Sequence, residues 1–189
     1  MLRSPVARLT ADRHRRLLDV AGRHFAAHGP RGASLNALLA EAGVSKGVAY
    51  YYFADKDDLL AAVLEDAWAA LEPLVPPGEA PVDWAALQRL HRAHLSLLRA
   101  RPWLADLARH DPPPAVAQRL APAFERILGL WPRAMAAGLI RTDLPADLVI
   151  AMIRGLDGSI DQWWAAHPDA TAYDADLAFA ALRTLVEAR

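Results

Sequence analysis

"SKGVAYYYFADK", residues 45–56, sets three tyrosines and a phenylalanine in a row between two lysines. Aromatic side chains favour pleated, half-buried surfaces, so by propensity alone the run reads as a strand. Its flanks argue for helix. Ser45 is a good N-cap, Gly43 suits the left-handed position after a preceding helix, and Asp55 caps another helix starting at Lys56. At about 100° per residue, Ala49 and Phe53 share the inner side of a short helix ending near Phe53. Lys46, Gly47, Val48, Tyr50 and Tyr51 cover the remaining arc, and Tyr52 lies between. An aromatic cluster in a helical core explains Phe53 and Tyr52 but not four rings, which cannot all face one way.

Outward from this run the period is helical throughout. A first helix from an N-cap at Thr10 to His28 puts Leu17, Leu18, Ala21 and Phe25 on one stripe, and Gly29-Pro30 ends it. Ser34 caps a helix over 35–42. Lys56 to about Leu71 is a fourth helix, followed by a Pro- and Gly-rich loop at 75–81. Further helices are expected from Asp83 to about Arg101, near 103–110, from DPPP to about Ala137 with a bend at Pro122 or Pro132, over 146–166, and over 174–188. No strand, repeat or low-complexity tract is visible. The fold class is all-α.

Helix, glycine turn and short helix over residues 34–53 have the lengths of a helix-turn-helix, whose second helix enters the major groove. Tyrosines exposed on that helix are useful against DNA, because the ring packs on sugars while the hydroxyl bonds to phosphate. Residues 16–60, "RLLDVAGRHFAAHGPRGASLNALLAEAGVSKGVAYYYFADKDDLL", resemble the N-terminal domain of the TetR family of transcriptional regulators. The likeness is carried by Leu-Leu-x-x-Ala-x-x-x-Phe-x-x-x-Gly in the first helix, Ala-Gly-Val-Ser-Lys-Gly at the turn, and Tyr-x-Tyr-Phe-x-x-Lys-x-x-Leu after it.

The resemblance implies a division into residues 1–55, a three-helix DNA-binding domain, and residues 56–189, a helical ligand-binding and dimerisation domain. It implies that Ser34 meets phosphate and Asn36 reaches a base. Lys46, Gly47, Val48 and Tyr51 would face bases, Tyr50 and Tyr52 backbone or base, and Lys56 a phosphate. Three residues depart from the pattern. Val48 stands where a threonine is usual, which replaces a hydroxyl contact by an apolar one, such as to a thymine methyl. Ala49 replaces a leucine and packs less. His24 replaces a leucine and is expected at the domain surface.

Charge agrees with this division. Residues 1–60 carry nine Lys/Arg against six Asp/Glu, and the remainder twelve against sixteen, so a basic end precedes an acidic body. Five of the basic residues, Arg3, Arg8, Arg13, Arg15 and Arg16, crowd the first sixteen positions. The chain has no cysteine, which excludes disulfides, thiolate metal sites and a Cys nucleophile. No apolar run suits a signal peptide or approaches the roughly 20 residues of a membrane span, so a soluble, cytoplasmic protein without a membrane partner is expected.

In the body, Trp84, Leu87, His91, His94 and Leu98 share one helical stripe. Two histidines on an apolar face need partners or water. They can be core or interface residues, polar groups of a ligand pocket, or a metal pair, although the i, i+3 spacing lacks a Cys or acidic helper. With Trp68, Trp103, Leu107, His110, Phe124, Leu128, Trp131 and Met135 they can enclose an aromatic-lined pocket. No metal site and no cofactor are assigned. The helix 146–166 has a wide apolar face including Met152, Ile153, Leu156, Ile160, Trp163 and Trp164, and the last helix adds Leu182 and Leu185. Gly155 and Gly158 allow close backbone approach. A C2 homodimer fits, its two reading helices matching a palindromic operator.

The expected function is a dimeric, ligand-responsive regulator, a repressor released from double-stranded DNA by a small organic effector that moves the fourth helix and spreads the two heads. An activator of the same fold and an architectural DNA binder lacking a ligand are the alternatives. No Ser/His/Asp, paired-carboxylate or Gly-rich phosphate pattern favours an enzyme.

Overall fold

The computed structural model describes residues 10–78 and 80–188, and every regular element among them is helical. In order these are α1 (Ala11–Gly32), α2 (Leu35–Ala42), α3 (Lys46–Tyr52), α4 (Lys56–Ala69), a 3-10 turn (Glu72–Leu74), α5 (Trp84–Ala100), α6 (Trp103–Leu107), α7 (Pro114–Leu128), α8 (Leu130–Ala136), α9 (Ala146–Ala166) and α10 (Ala172–Val186). An isolated antiparallel bridge pairs Ile140 with Glu187. The all-α class and the helix-turn-helix over α2 and α3 are as the sequence implies.

Local signals explain most boundaries. Thr10, Ser34 and Ser45 each accept a backbone N–H at 3.4 Å from the first turns of α1, α2 and α3. Gly43 ends α2 in the left-handed conformation (φ 68°), where a side chain would be strained. The Asp58 N–H donates to Asp55 at 2.8 Å while the Asp58 carboxylate accepts from the Ala54 N–H at 2.9 Å, a reciprocal cap on α4.

Gly29, with φ 69° and ψ 165°, breaks the helical backbone of α1 where Gly29-Pro30 is expected to end it, and a short further turn follows to Gly32. Other boundaries differ from expectation. The helix after DPPP breaks at Gly129 rather than bending at either proline. Pro132 falls in the first turn of α8, where its missing N–H has no helical partner to lose. The last helix starts at Ala172, two residues early, because Asp174 accepts from the N–H of Thr171 at 2.7 Å and from its hydroxyl at 2.8 Å.

By compactness the chain forms two units, Met1–Ala67 with Asp106–Leu120, and Trp68–Ala105 with Ala121–Arg189. This partition keeps most of α4 and a later segment with the first unit, whereas the functional division expected from the sequence falls at 55/56. The first unit buries Leu17, Leu18, Ala21 and Phe25 of α1, Leu38 and Leu39 of α2, Ala49 of α3, Phe53, and Leu59, Leu60 and Val63 of α4. In the second unit α5 packs on α9 and α10. Its larger core gathers Leu87, Leu130, Ile140, Val149, Ile153, Phe179 and Leu182, and a smaller one gathers Leu95, Leu98, Ala105, Trp164 and Ala175.

Candidate nucleic-acid interface and helical body

Seven residues are too few to hold a helix alone, so α3 depends on what it buries. Ala49 and Phe53 are buried, as their inner positions require. The opposite arc presents Lys46 and Gly47 to solvent, with Val48 and Tyr52 half-buried. Tyr50 is 55% and Tyr51 61% exposed, a large apolar area left uncovered by the chain itself. A Cβ at Gly47 would meet nothing within 4 Å, so the fold itself does not demand glycine there. Its absence leaves room for another backbone to approach. Ser34 and Asn36, at the start of α2, are exposed. The Ser34 hydroxyl is already engaged as the α2 cap.

Arg13, Arg15 and Arg16 are exposed on α1, and Arg15 pairs with Asp12 at 3.5 Å. Arg3 and Arg8 lie outside the described residues. His24 is half-buried, its Nε2 2.8 Å from Glu41, which also accepts from Arg23 at 3.0 Å. These two bonds, that of His24 first, hold the Glu41 carboxyl below its usual pKa.

Lys56 is placed otherwise than a simple phosphate clamp. Its ammonium donates to the carbonyls of Arg31 at 2.9 Å and Ala33 at 3.1 Å, where the orphan acceptors ending α1 attract a cation. One N–H is left for another acceptor. Beside it lies an open cleft of about 770 Å³, bordered by His28, Arg31, Asp57, His110 and Pro112–Pro114.

Sequence reading did not foresee how residues 106–120 join this unit. His110 Nε2 lies 3.1 Å from the Ala26 carbonyl, and its ring packs at the Gly29 kink. Arg119 bonds both oxygens of Glu65, at 2.6 and 2.7 Å, and also Asp58. Leu107, Val116 and Leu120 are buried. No local signal marks such partners, because they stand more than fifty residues away in the chain.

The residues expected to line a pocket are divided between the two units. Leu107 and His110 belong to the first unit and the others to the second. Leu87 belongs to the larger core, against which Trp68, Trp84, Trp131 and Met135 pack. Leu98 belongs to the smaller core, and Trp103 is buried. Phe124 is 50% exposed although it stacks on Trp68 with centroids 6.4 Å apart, and Leu128 is exposed too. Among the described residues, no group of three or more His, Asp or Glu side chains is placed to hold a metal ion.

Both α5 histidines face acidic residues. His94 Nε2 is 2.9 Å from Asp161 Oδ1 of α9. Burial alone would lower its pKa, but the bond to Asp161 and the charges of Asp161 and Asp157 raise it. Asp157 is pushed up to about 6 by burial and then by the neighbouring Asp161. His91 is lowered, first by burial and then by His94. Its Nε2 is buried with no hydrogen-bond partner among the described residues.

The residues expected at a dimer face divide between the interior and the surface of the chain. Ile153, Trp164 and Leu182 are buried within their own chain, because α5 covers that side of α9 and α10. Met152 is half-buried, and Leu156 and Ile160 pack partly on the core. Trp163 and Leu185 are exposed, together with Leu148, Tyr173 and Leu177. A Cβ at Gly155 or Gly158 would meet nothing within 4 Å, so both glycines open outward.

Comparison with known proteins places these features in context. The sequence profile of the bacterial regulatory proteins, tetR family, matches residues 17–63, which run from α1 into α4. A helix-turn-helix-type transcriptional repressor from Streptomyces coelicolor is 36% identical over 90 residues, 47% of this chain and 47% of that protein. The chain thus matches about half the length of this curated relative. Among solved structures, a TetR family transcription regulator from Marinobacter aquaeolei VT8 is similar with a TM-score of 0.72 at 20% identity, covering 94% of this chain and 96% of that one. The transcriptional regulator FadR from Bacillus subtilis, in complex with stearoyl-CoA, gives a TM-score of 0.67 at 21% identity, covering 91% and 96%. At these identities the structural likeness speaks for fold.

Proposed function

We infer that the chain, which belongs through residues 17–63 to the TetR family of bacterial regulatory proteins, is a cytoplasmic DNA-binding transcriptional regulator that works as a homodimer on a palindromic operator. The observation that carries this is the outer face of α3, where two largely exposed tyrosines flank an unobstructed glycine and a lysine. Lys46, Val48 and Tyr51 read bases in the major groove, Val48 through an apolar contact such as a thymine methyl. Tyr50, Tyr52 and the α2 N-terminus with Ser34 and Asn36 set the register on the backbone. Lys56 adds a phosphate contact with its remaining N–H.

Repression fits the name of the Streptomyces coelicolor relative. A small organic effector is the natural switch, since FadR of Bacillus subtilis, a regulator of similar fold, forms a complex with stearoyl-CoA. His91 of α5, whose buried Nε2 has no hydrogen-bond partner among the described residues, suits a mainly apolar molecule with one polar end. Such an effector shifts the protein from its DNA-competent form only by its difference in affinity for the two forms. The outward residues of α9 and α10, including Trp163, Leu177 and Leu185, supply the dimer face.

Repeated selection from a pool of randomised duplexes tests the reading. Enrichment of an inverted repeat by the native protein, lost in Lys46→Ala/Tyr51→Ala, is the expected result. If no duplex is enriched over that double variant, the assignment of α3 to DNA fails.

A further inference from the structure

We propose that His14, on the first turn of α1, is a positioning residue for sequence reading: through Tyr52 it sets the orientation in which Tyr51 meets the bases. The inference rests on the DNA-binding reading above and assigns a role outside the helix-turn-helix itself.

Four rings form a continuous path from the core to the reading face. Phe53 is buried, and the His14 ring lies nearly parallel to it, with centroids 6.1 Å apart and planes at 16°. His14 also meets Tyr52 at 6.4 Å and 54°, while Phe53 meets Tyr52 at 6.3 Å and 43°. Tyr52 in turn stands edge-to-face against Tyr51, at 5.1 Å and 80°. Tyr52 is therefore wedged between a ring from α1, a ring from the core and the ring proposed to read bases.

That wedge adds a directional restraint to the burial of Ala49 and Phe53 and the Ser45 cap that hold α3. Within its seven residues the one buried side chain is Ala49, a methyl group that resists rotation of the helix weakly. A tyrosine has two rotatable bonds, and an exposed one wanders among rotamers unless neighbours restrict it. Edge-to-face and offset contacts supply that restriction directionally, whereas an aliphatic neighbour fills space without fixing a ring plane. The platform under His14 is itself held: its N–H donates to the Thr10 carbonyl at 2.9 Å, and the Thr10 hydroxyl accepts from Arg13. The α1 terminus thus acts on the reading face by packing.

The test uses the full-length protein and the operator recovered by selection, with single-base-pair variants of it and an unrelated duplex. His14→Ala is expected to lower discrimination between the operator and its variants by about 3- to 10-fold. Affinity for the unrelated duplex and the salt dependence should stay unchanged, and His14→Phe should restore discrimination. His14→Leu, which keeps volume without a ring, replaces the alanine variant if that one fails to fold. Unchanged discrimination in His14→Ala, with Tyr51→Ala defective, overturns the role of His14 while leaving the DNA face intact. A uniform loss on every duplex that His14→Phe does not restore overturns it too, since that marks a phosphate contact. If Tyr51→Ala is itself without effect, the DNA-binding reading is what fails.

Discussion

The Lys56 ammonium lies 2.9 Å from the carbonyl oxygen of Arg31, tying the first residue of α4 to the last turn of α1. A second bond, to Ala33 at 3.1 Å, makes the side chain a brace for the head as well as a cation for DNA. Lys56→Met keeps the stem and removes both bonds. It should lower the stability of the protein by about 1–2 kcal/mol, read from urea unfolding, and also weaken binding to all duplexes alike. A binding defect with unaltered unfolding would show that the brace contributes nothing.

Gly29 and Gly43 share a positive φ, 69° and 68°, but differ in ψ, 165° at Gly29 (a conformation almost confined to glycine) against the left-handed helical 33° at Gly43, and in surroundings. At Gly43 a Cβ meets open space, so Gly43→Ala should cost about 1 kcal/mol from backbone strain alone. At Gly29 a Cβ would approach the His110 ring to 3.3 Å, adding a clash at the kink of α1. Gly29→Ala should therefore be the worse of the two, by about 1 kcal/mol or more. Thermal unfolding of the two variants side by side decides it.

The acid–histidine group between α5 and α9 gives a signed pH dependence. Asp157 protonates near 6 in the fold against 3.8 ordinarily, so its contribution to stability is full below about pH 3.8 and lost as pH rises through 6. His94, also raised, contributes fully below 6.5 and loses that contribution as pH rises through its folded value. His91 is lowered, so its contribution is present above 6.5 and lost as pH falls through its folded value. Asp161, 2.9 Å from His94, and Asp176 with Arg92, bonded to each other at 2.6 Å, are further charged groups facing this cluster. Asp157→Asn should be more stable than the native protein at about pH 8, by about 2–3 kcal/mol, with the gap closing toward about pH 4. Urea midpoints across that range test it, and a constant gap would refute the assignment.

Exposed and buried residues of α9 and α10 should respond differently. Trp163→Arg or Leu177→Arg should convert a dimer at micromolar concentration into a folded monomer, seen by sedimentation. Ile153→Ala and Leu182→Ala, which empty space in the chain's own core, should instead cost about 2–5 kcal/mol in stability. A monomeric native protein would remove the dimer from the proposal.

How far the sequence could be read depended on the range of the interactions involved. Caps such as Ser34, Ser45 and Asp55 act over three or four residues, and they placed α2, α3 and the start of α4 correctly. The inward pair Ala49 and Phe53 followed from helical spacing. The kink at Gly29 was harder, because glycine and proline announce a break without saying whether the helix resumes beyond it. The same ambiguity separated the break at Gly129 from the two prolines nearby.

By itself the sequence determined the all-α class, the helix-turn-helix and the arc of α3 that faces outward, since periodicity and capping are local properties of the chain. Tertiary structure decided which half of an apolar helix is used at home: Ile153, Trp164 and Leu182 inward, Trp163, Leu177 and Leu185 outward. It also decided that Lys56 braces α1, that Arg119 grips Glu65, and that His14 stands against Tyr52. Those outcomes depend on which helices meet, and a helix's own spacing is the same whatever lies against it.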